Sequence, residues 1–183
     1  MTGLIRSLIL GILVVSMAAC TPAGETSPTP TVTLPSPSPT PTPQWTDEEQ
    51  AALDAIDRYL EVWSDIGQHV TEGGKWNTIN TVAADDAATS ALNVWKRWYD
   101  NGWHLEGAPT LEPTMVQIGM RDGRGQRYYV YGCYHMENAH LVDKTGTRLS
   151  GERVDTQPVL YVVLRVQNDR HFVLEGKNQE GTC

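Results

Sequence analysis

Tyr131, Cys133, His135 and Glu137 fall on every second position of one run of the chain. If that run is a strand, they share one face of it. A phenol, an imidazole and a carboxylate on one surface are the groups of proton-transfer chemistry. Tyr131 could polarise a carbonyl while His135 or Glu137 moves a proton. The alternative is that this face is half wet and its tyrosines simply pack. Tyr128, Val130, Gly132, Tyr134 and Met136 take the opposite face. Glu137 and His140 are three apart, which sends them to opposite faces of a strand, and the five histidines show no metal-ligand spacing. Trp63, Trp95, Trp98 and Trp103 could line a pocket for an apolar ligand, since an indole offers a large apolar area and one donor. Trp95 and Tyr99, four apart on a helix, also fit plain core spacing. The chain has no Gly-x-Ser-x-Gly, no Ser-x-x-Lys and no glycine-rich phosphate loop, so no hydrolase, metal or cofactor is expected.

The ends of the chain are made of different material. Of 11 prolines, 8 precede Gln44, whereas all 6 Trp, 7 Tyr and 1 Phe follow it. Residues 1–19 carry one positive side chain, Arg6, then an uncharged run from Ser7 to Ala19. That run is too short to cross a bilayer, which takes about 20 apolar residues, and reads as a signal peptide. Met17-Ala18-Ala19-Cys20 resembles the lipobox of bacterial lipoproteins, with Met17 where leucine is commonest. The resemblance implies a lipid on the Cys20 thiol and a protein held at the outer face of the cell membrane. With Cys20 assigned to the lipid, Cys133 and Cys183 remain. Outside the cytoplasm they are expected to form a disulfide, two unpaired thiols being the alternative.

Residues 20–44 form the lipidated cysteine and a linker; Pro22 to Gln44 contain 8 Pro, 6 Thr and 3 Ser. Such a composition builds no core and is expected to be disordered, with alternate prolines favouring an extended stalk. Residues 45–183 are long enough for one domain with its own core. They hold 13 Lys and Arg against 21 Asp and Glu, so a nucleic-acid partner is not expected.

The elements that must position the site residues come next. Thr46-Asp47-Glu48-Glu49 is a capping box, and Leu53, Ile56, Leu60, Trp63 and Ile66 recur at helical spacing up to Gly67, read as a left-handed cap. A second helix is expected from about Lys75 to Ala84. A third is expected from Asp85-Asp86 to Asn101-Gly102, with Ala88, Leu92, Trp95 and Tyr99 as its apolar stripe. After Trp103 the period falls to two. Strands are expected over Met115–Met120, Arg127–Val142, Val159–Gln167 and His171–Gly176, with turns at Asp122–Gly125 and Asn168-Asp169. Helices followed by an antiparallel sheet make the class α+β.

Tyr59-Leu60-Glu61-Val62-Trp63, the run from Trp95 to Trp103, Gly132-Cys133 and the closing Glu180-Gly181-Thr182-Cys183 resemble secreted lipoproteins of high-GC Gram-positive bacteria, the actinobacterial group. The resemblance covers residues 45–183 and implies a nuclear transport factor 2-like domain, a cone of helices on a curved antiparallel sheet with an open pocket. The tyrosine and carboxylate pair of the steroid isomerases in that superfamily finds no residue-by-residue match here. With 13 Trp and Tyr against one Phe, nearly every large ring carries a polar handle that is cheapest to satisfy around a wet cavity. The expectation is therefore a lipoprotein that binds a small ligand or a cell-envelope partner. Its pocket should lie between the first and third helices and the sheet, lined by Trp63, Trp95, Tyr131 and His135. The alternative is a small isomerase or dehydratase-type enzyme using the Tyr/His/Glu groups.

Overall fold

Thr46 starts the first helix, α1 (Asp47–Gln68), as a full capping box. The Thr46 Oγ1 accepts from the Glu49 N–H at 3.3 Å, and the Glu49 carboxylate accepts from the Thr46 N–H at 2.8 Å. These elements belong to a computed structural model that describes residues 44–149 and 155–183. The signal segment, Cys20 and the linker short of Gln44 lie outside the described residues.

Ala52, Ile56, Leu60 and Ile66 of α1 are buried, as their spacing requires, and Trp63 is partly so. The helix does not stop at Gly67. It continues through it to Gln68, with His69 as its C-cap. Gly67 is needed there for space: a Cβ on it would stand 3.1 Å from the Trp98 ring and 3.3 Å from Leu105.

No α-helix forms over 75–84. Trp76–Thr81 is a 3-10 turn, and the next three residues run beside the sheet. Val82 O accepts from the Val173 N–H and the Ala84 N–H donates to Val173 O, both at 2.9 Å. β-branched Thr78, Ile79, Thr81 and Val82 favour this extended exit over a further helical turn.

The second α-helix, α2 (Asp85–Asn101), starts and stops where expected, and Gly102 closes it at φ 68°. Its buried stripe is the expected one in part: Ala88 and Trp95 are buried, Leu92 is half-buried and Tyr99 is not buried. Ala87, Ala91, Trp95 and Trp98 face the core, while Tyr99 is 49% exposed and rests edge-on against Trp76.

The strands are β1 (His104–Glu106), β2 (Thr110–Arg121), β3 (Gln126–His135), β4 (His140–Val142), β5 (Thr156–Arg165) and β6 (His171–Asn178). β1 and β4 pair with each other, and the main sheet is antiparallel in the order β2-β3-β5-β6. The expected strand Arg127–Val142 is thus two strands in different sheets. The chain leaves the ladder after His135, where the Met136 N–H donates to Asp155 O. Register shifts within β2 and between β5 and β6 bend the sheet. Helices packed on this open, curved antiparallel sheet make the class α+β. Ile56, Leu60 and Trp95 meet Tyr128, Val130, Tyr161 and Val163 on one face of it. Burying an aliphatic side chain such as Ile56 or Val130 contributes about 1.5–3 kcal/mol.

Candidate functional site

The four residues expected to line one pocket are divided by the sheet. Trp95 is fully buried in the main core and Trp63 packs on it, with ring centroids 6.4 Å apart. Tyr131 and His135 alternate with the core-facing Tyr128, Val130 and Gly132, and so stand on the face turned away from α1. Trp95 is enclosed among the core side chains, and among the described residues its buried Nε1 has no hydrogen-bond partner. The four residues therefore do not share one pocket wall. Alternation along β3 shows which side chains share a face. It does not show which face turns inward, and the presence of Val130 and Met136 beside Tyr128 was the available signal.

On the outer face, His135 lies 3.3 Å from the Glu112 carboxylate through Nε2, and its Nδ1 lies 3.2 Å from the Thr156 hydroxyl and 3.5 Å from the Glu137 carboxylate. Glu112 and Glu137 are exposed, so this cluster has no enclosing wall. No group of three or more His, Cys, Asp or Glu among the described residues is placed to hold a metal ion. The Cys133–Cys183 disulfide is present, with Cα atoms 5.7 Å apart. It pins the tail after β6 back onto β3, past the bond from the Gln179 N–H to Pro158 O at 2.8 Å.

Two hollows remain. The larger, about 890 Å³, runs along α1 beneath the turn at Gly73-Gly74. Its rim carries Arg58, Glu61, Asp65, His69, Glu72 and Lys75, all exposed. Their charges are already met by water, so a ligand gains little there. Ser64, whose buried hydroxyl has no partner, is the one enclosed polar group in its wall. Hydrogen bonding to the Asp65 carbonyl is the main influence raising the His69 pKa above its ordinary value.

The second hollow, about 610 Å³, is a groove of different chemistry. Ala84, Ala88 and Leu92 recur every four residues and line one wall from α2. Leu164 and Val166 at the end of β5, with Phe172 and Leu174 of β6, line the other. They continue the apolar patch formed by Val162, Leu164 and Leu174 on the outer sheet face. A polar corner closes the groove. Arg124, from the turn between β2 and β3, donates from Nη1 to the Asp85 carboxylate at 2.7 Å. That pairing raises the Arg124 pKa further above its ordinary value. Asp85 holds a left-handed backbone, φ 50°, a sparsely populated region for a residue with a side chain.

The turn that presents Arg124 is itself fastened. The Asp122 carboxylate accepts from the Arg124 N–H at 2.7 Å, from the Gly125 N–H at 3.2 Å and from the Arg127 Nε at 2.9 Å. These bonds hold the Asp122 carboxyl below its ordinary range, the Arg124 N–H contributing most. Sequence reasoning marked parts of both walls, Leu164 and Val166 within the expected strand Val159–Gln167 and Ala88 and Leu92 within the helical stripe. It did not find the groove, because joining the walls requires knowing on which side of β6 the helix lies.

No protein-family model matches the chain, and no curated protein matches it. Among solved structures, the chain is similar to the intermembrane space region of the chloroplast protein ARC6. The TM-score is 0.53 at 13% sequence identity, covering 76% of this chain and 100% of that one. At that identity the likeness is one of fold alone.

Proposed function

We propose that this chain is an extracytoplasmic lipoprotein, tethered to the outer face of the cell membrane through Cys20, with a nuclear transport factor 2-like domain that binds a small apolar ligand. The groove between α2 and the ends of β5 and β6 carries this reading. It is concave and walled by Ala84, Ala88, Leu92, Leu164, Phe172 and Leu174, with polar groups gathered at one corner. Its volume falls in the range of about 300–1,000 Å³ usual for small-molecule sites. The Cys133–Cys183 disulfide supports a location outside the cytoplasm, where such bonds persist.

Native mass spectrometry of the full chain, purified from its own membrane, tests the reading. A co-purifying small molecule is expected, lost from Thr89→Trp, which fills the groove from an exposed helical position, and kept in Ser90→Trp one residue away. Equal occupancy in both variants, or an empty chain that also takes up no dodecanol, would sink it.

A second reading, an envelope partner docked by strand addition, draws on β2. Among the described residues this twelve-residue strand is paired on one side only, to β3, and it exposes Met115, Ile118 and Met120. A photo-crosslinker at Ile118 that yields no adduct in cells would set that reading aside.

A further inference from the structure

We infer that the groove takes an anionic single-chain amphiphile, its alkyl chain along the apolar walls and its anionic head at Arg124. This rests on the groove being the binding site. The ionisable lining is confined to Asp85 and Arg124, which form one ion pair and so lie at one place; the other polar lining residues, Asn80 and Thr89, are neutral. A ligand that matches this surface has one polar end and one long apolar body.

The sign of that end follows from the guanidiniums. Among the described residues, the Arg124 guanidinium is hydrogen-bonded only through Nη1, to Asp85, which leaves other N–H donors of its planar fork for a second anion. Arg170 lies 4.8 Å over the ring of Phe172, part of the apolar wall, and has no carboxylate partner among the described residues. Two carboxylates face Arg124, and both are engaged: Asp85 accepts from its Nη1, and Asp122 accepts from the Arg127 Nε and the turn amides. A cationic head would meet the Arg124 guanidinium beside carboxylates that are already bonded, Asp85 to Arg124 and Asp122 to Arg127. A neutral hydroxyl head would accept an uncharged bond from the fork, where a carboxylate accepts two charge-assisted ones. Asp85 competes with the ligand for Arg124, so it limits affinity.

Equilibrium dialysis of the full chain against dodecanoate, dodecanol and dodecyltrimethylammonium, each below its micelle concentration, reads the selectivity. Dodecanoate is expected to bind best. Arg124→Gln should weaken it about tenfold, the scale of a lost charge-assisted hydrogen bond, and leave dodecanol unchanged. Arg124→Lys should restore part of the loss, and Asp85→Asn should tighten dodecanoate about threefold, the scale of a surface ion pair. Both positions are exposed, and thermal melts alongside the dialysis confirm folded variants. If dodecanoate and dodecanol bind equally and Arg124→Gln alters neither, the anionic assignment falls while the groove stands. If no probe binds, or Thr89→Trp leaves binding intact, the groove itself falls.

Discussion

Trp95 has no exposed surface and touches the core through its whole ring, so its replacement is read in stability. Trp95→Ala should cost about 3–5 kcal/mol, the usual loss for a large buried aromatic, because α1 and the sheet cannot close over the space. Urea unfolding at constant slope would measure it. A loss under about 1 kcal/mol would mean that the ring sits in a site able to collapse, and that the core is looser than its burial implies. Tyr131 and His135 are the contrasting pair, since both stand on the outer face and their replacement opens no hole in the main core. The sequence places Trp95 on a helix and His135 on a strand correctly, and it places both on one pocket wall incorrectly. Periodicity is a local property of each element, whereas a shared wall depends on which faces meet.

Elements fixed by short-range chemistry were the legible ones. The α1 capping box needs only Thr46 and Glu49, the α2 stop needs only Gly102, and the turn Asp122–Gly125 closes on its own backbone, the Gly125 N–H donating to Asp122 O at 3.2 Å. Gly67 was misread because its neighbours, Trp98 and Leu105, are remote in sequence, and the 82–84 segment because its partner, Val173, is more remote still. The same turn gives a pH prediction. Asp122 has a lowered pKa in the folded state, so its bonds stabilise the turn fully above the ordinary carboxylate pKa and are lost as pH falls through the lowered folded value. The Arg124 and Gly125 amide resonances should shift together in that acid window, and the step should vanish in Asp122→Asn. Amide shifts that are flat across the carboxylate range in the parent chain would show that the carboxylate does not fasten the turn. Because this turn presents Arg124, its loosening should also weaken dodecanoate more than dodecanol.

At the scale of the whole molecule, the proposed anchor, stalk and groove fit one physical scheme. An amphiphile is scarce in water and concentrated in a bilayer, so a site for it is best kept close to a membrane. If extended as polyproline II, the 23 residues from Pro22 to Gln44 would reach about 70 Å, at about 3.1 Å per residue. The proposed lipid on Cys20 is the part of the scheme that a single change removes. At about 0.8 kcal/mol per buried CH₂, the two chains of a diacylglycerol anchor stably where one would exchange. Cys20→Ala should therefore release the domain to the medium or block removal of residues 1–19, while Cys133–Cys183 still closes, since that bond lies wholly within the folded unit. Growth with labelled palmitate reads the first effect and thiol counting on denatured, unreduced protein reads the second. Label entering the Cys20→Ala chain at the parent level would place the lipid elsewhere or show it to be absent from Cys20, and the stalk would then need another reason to exist.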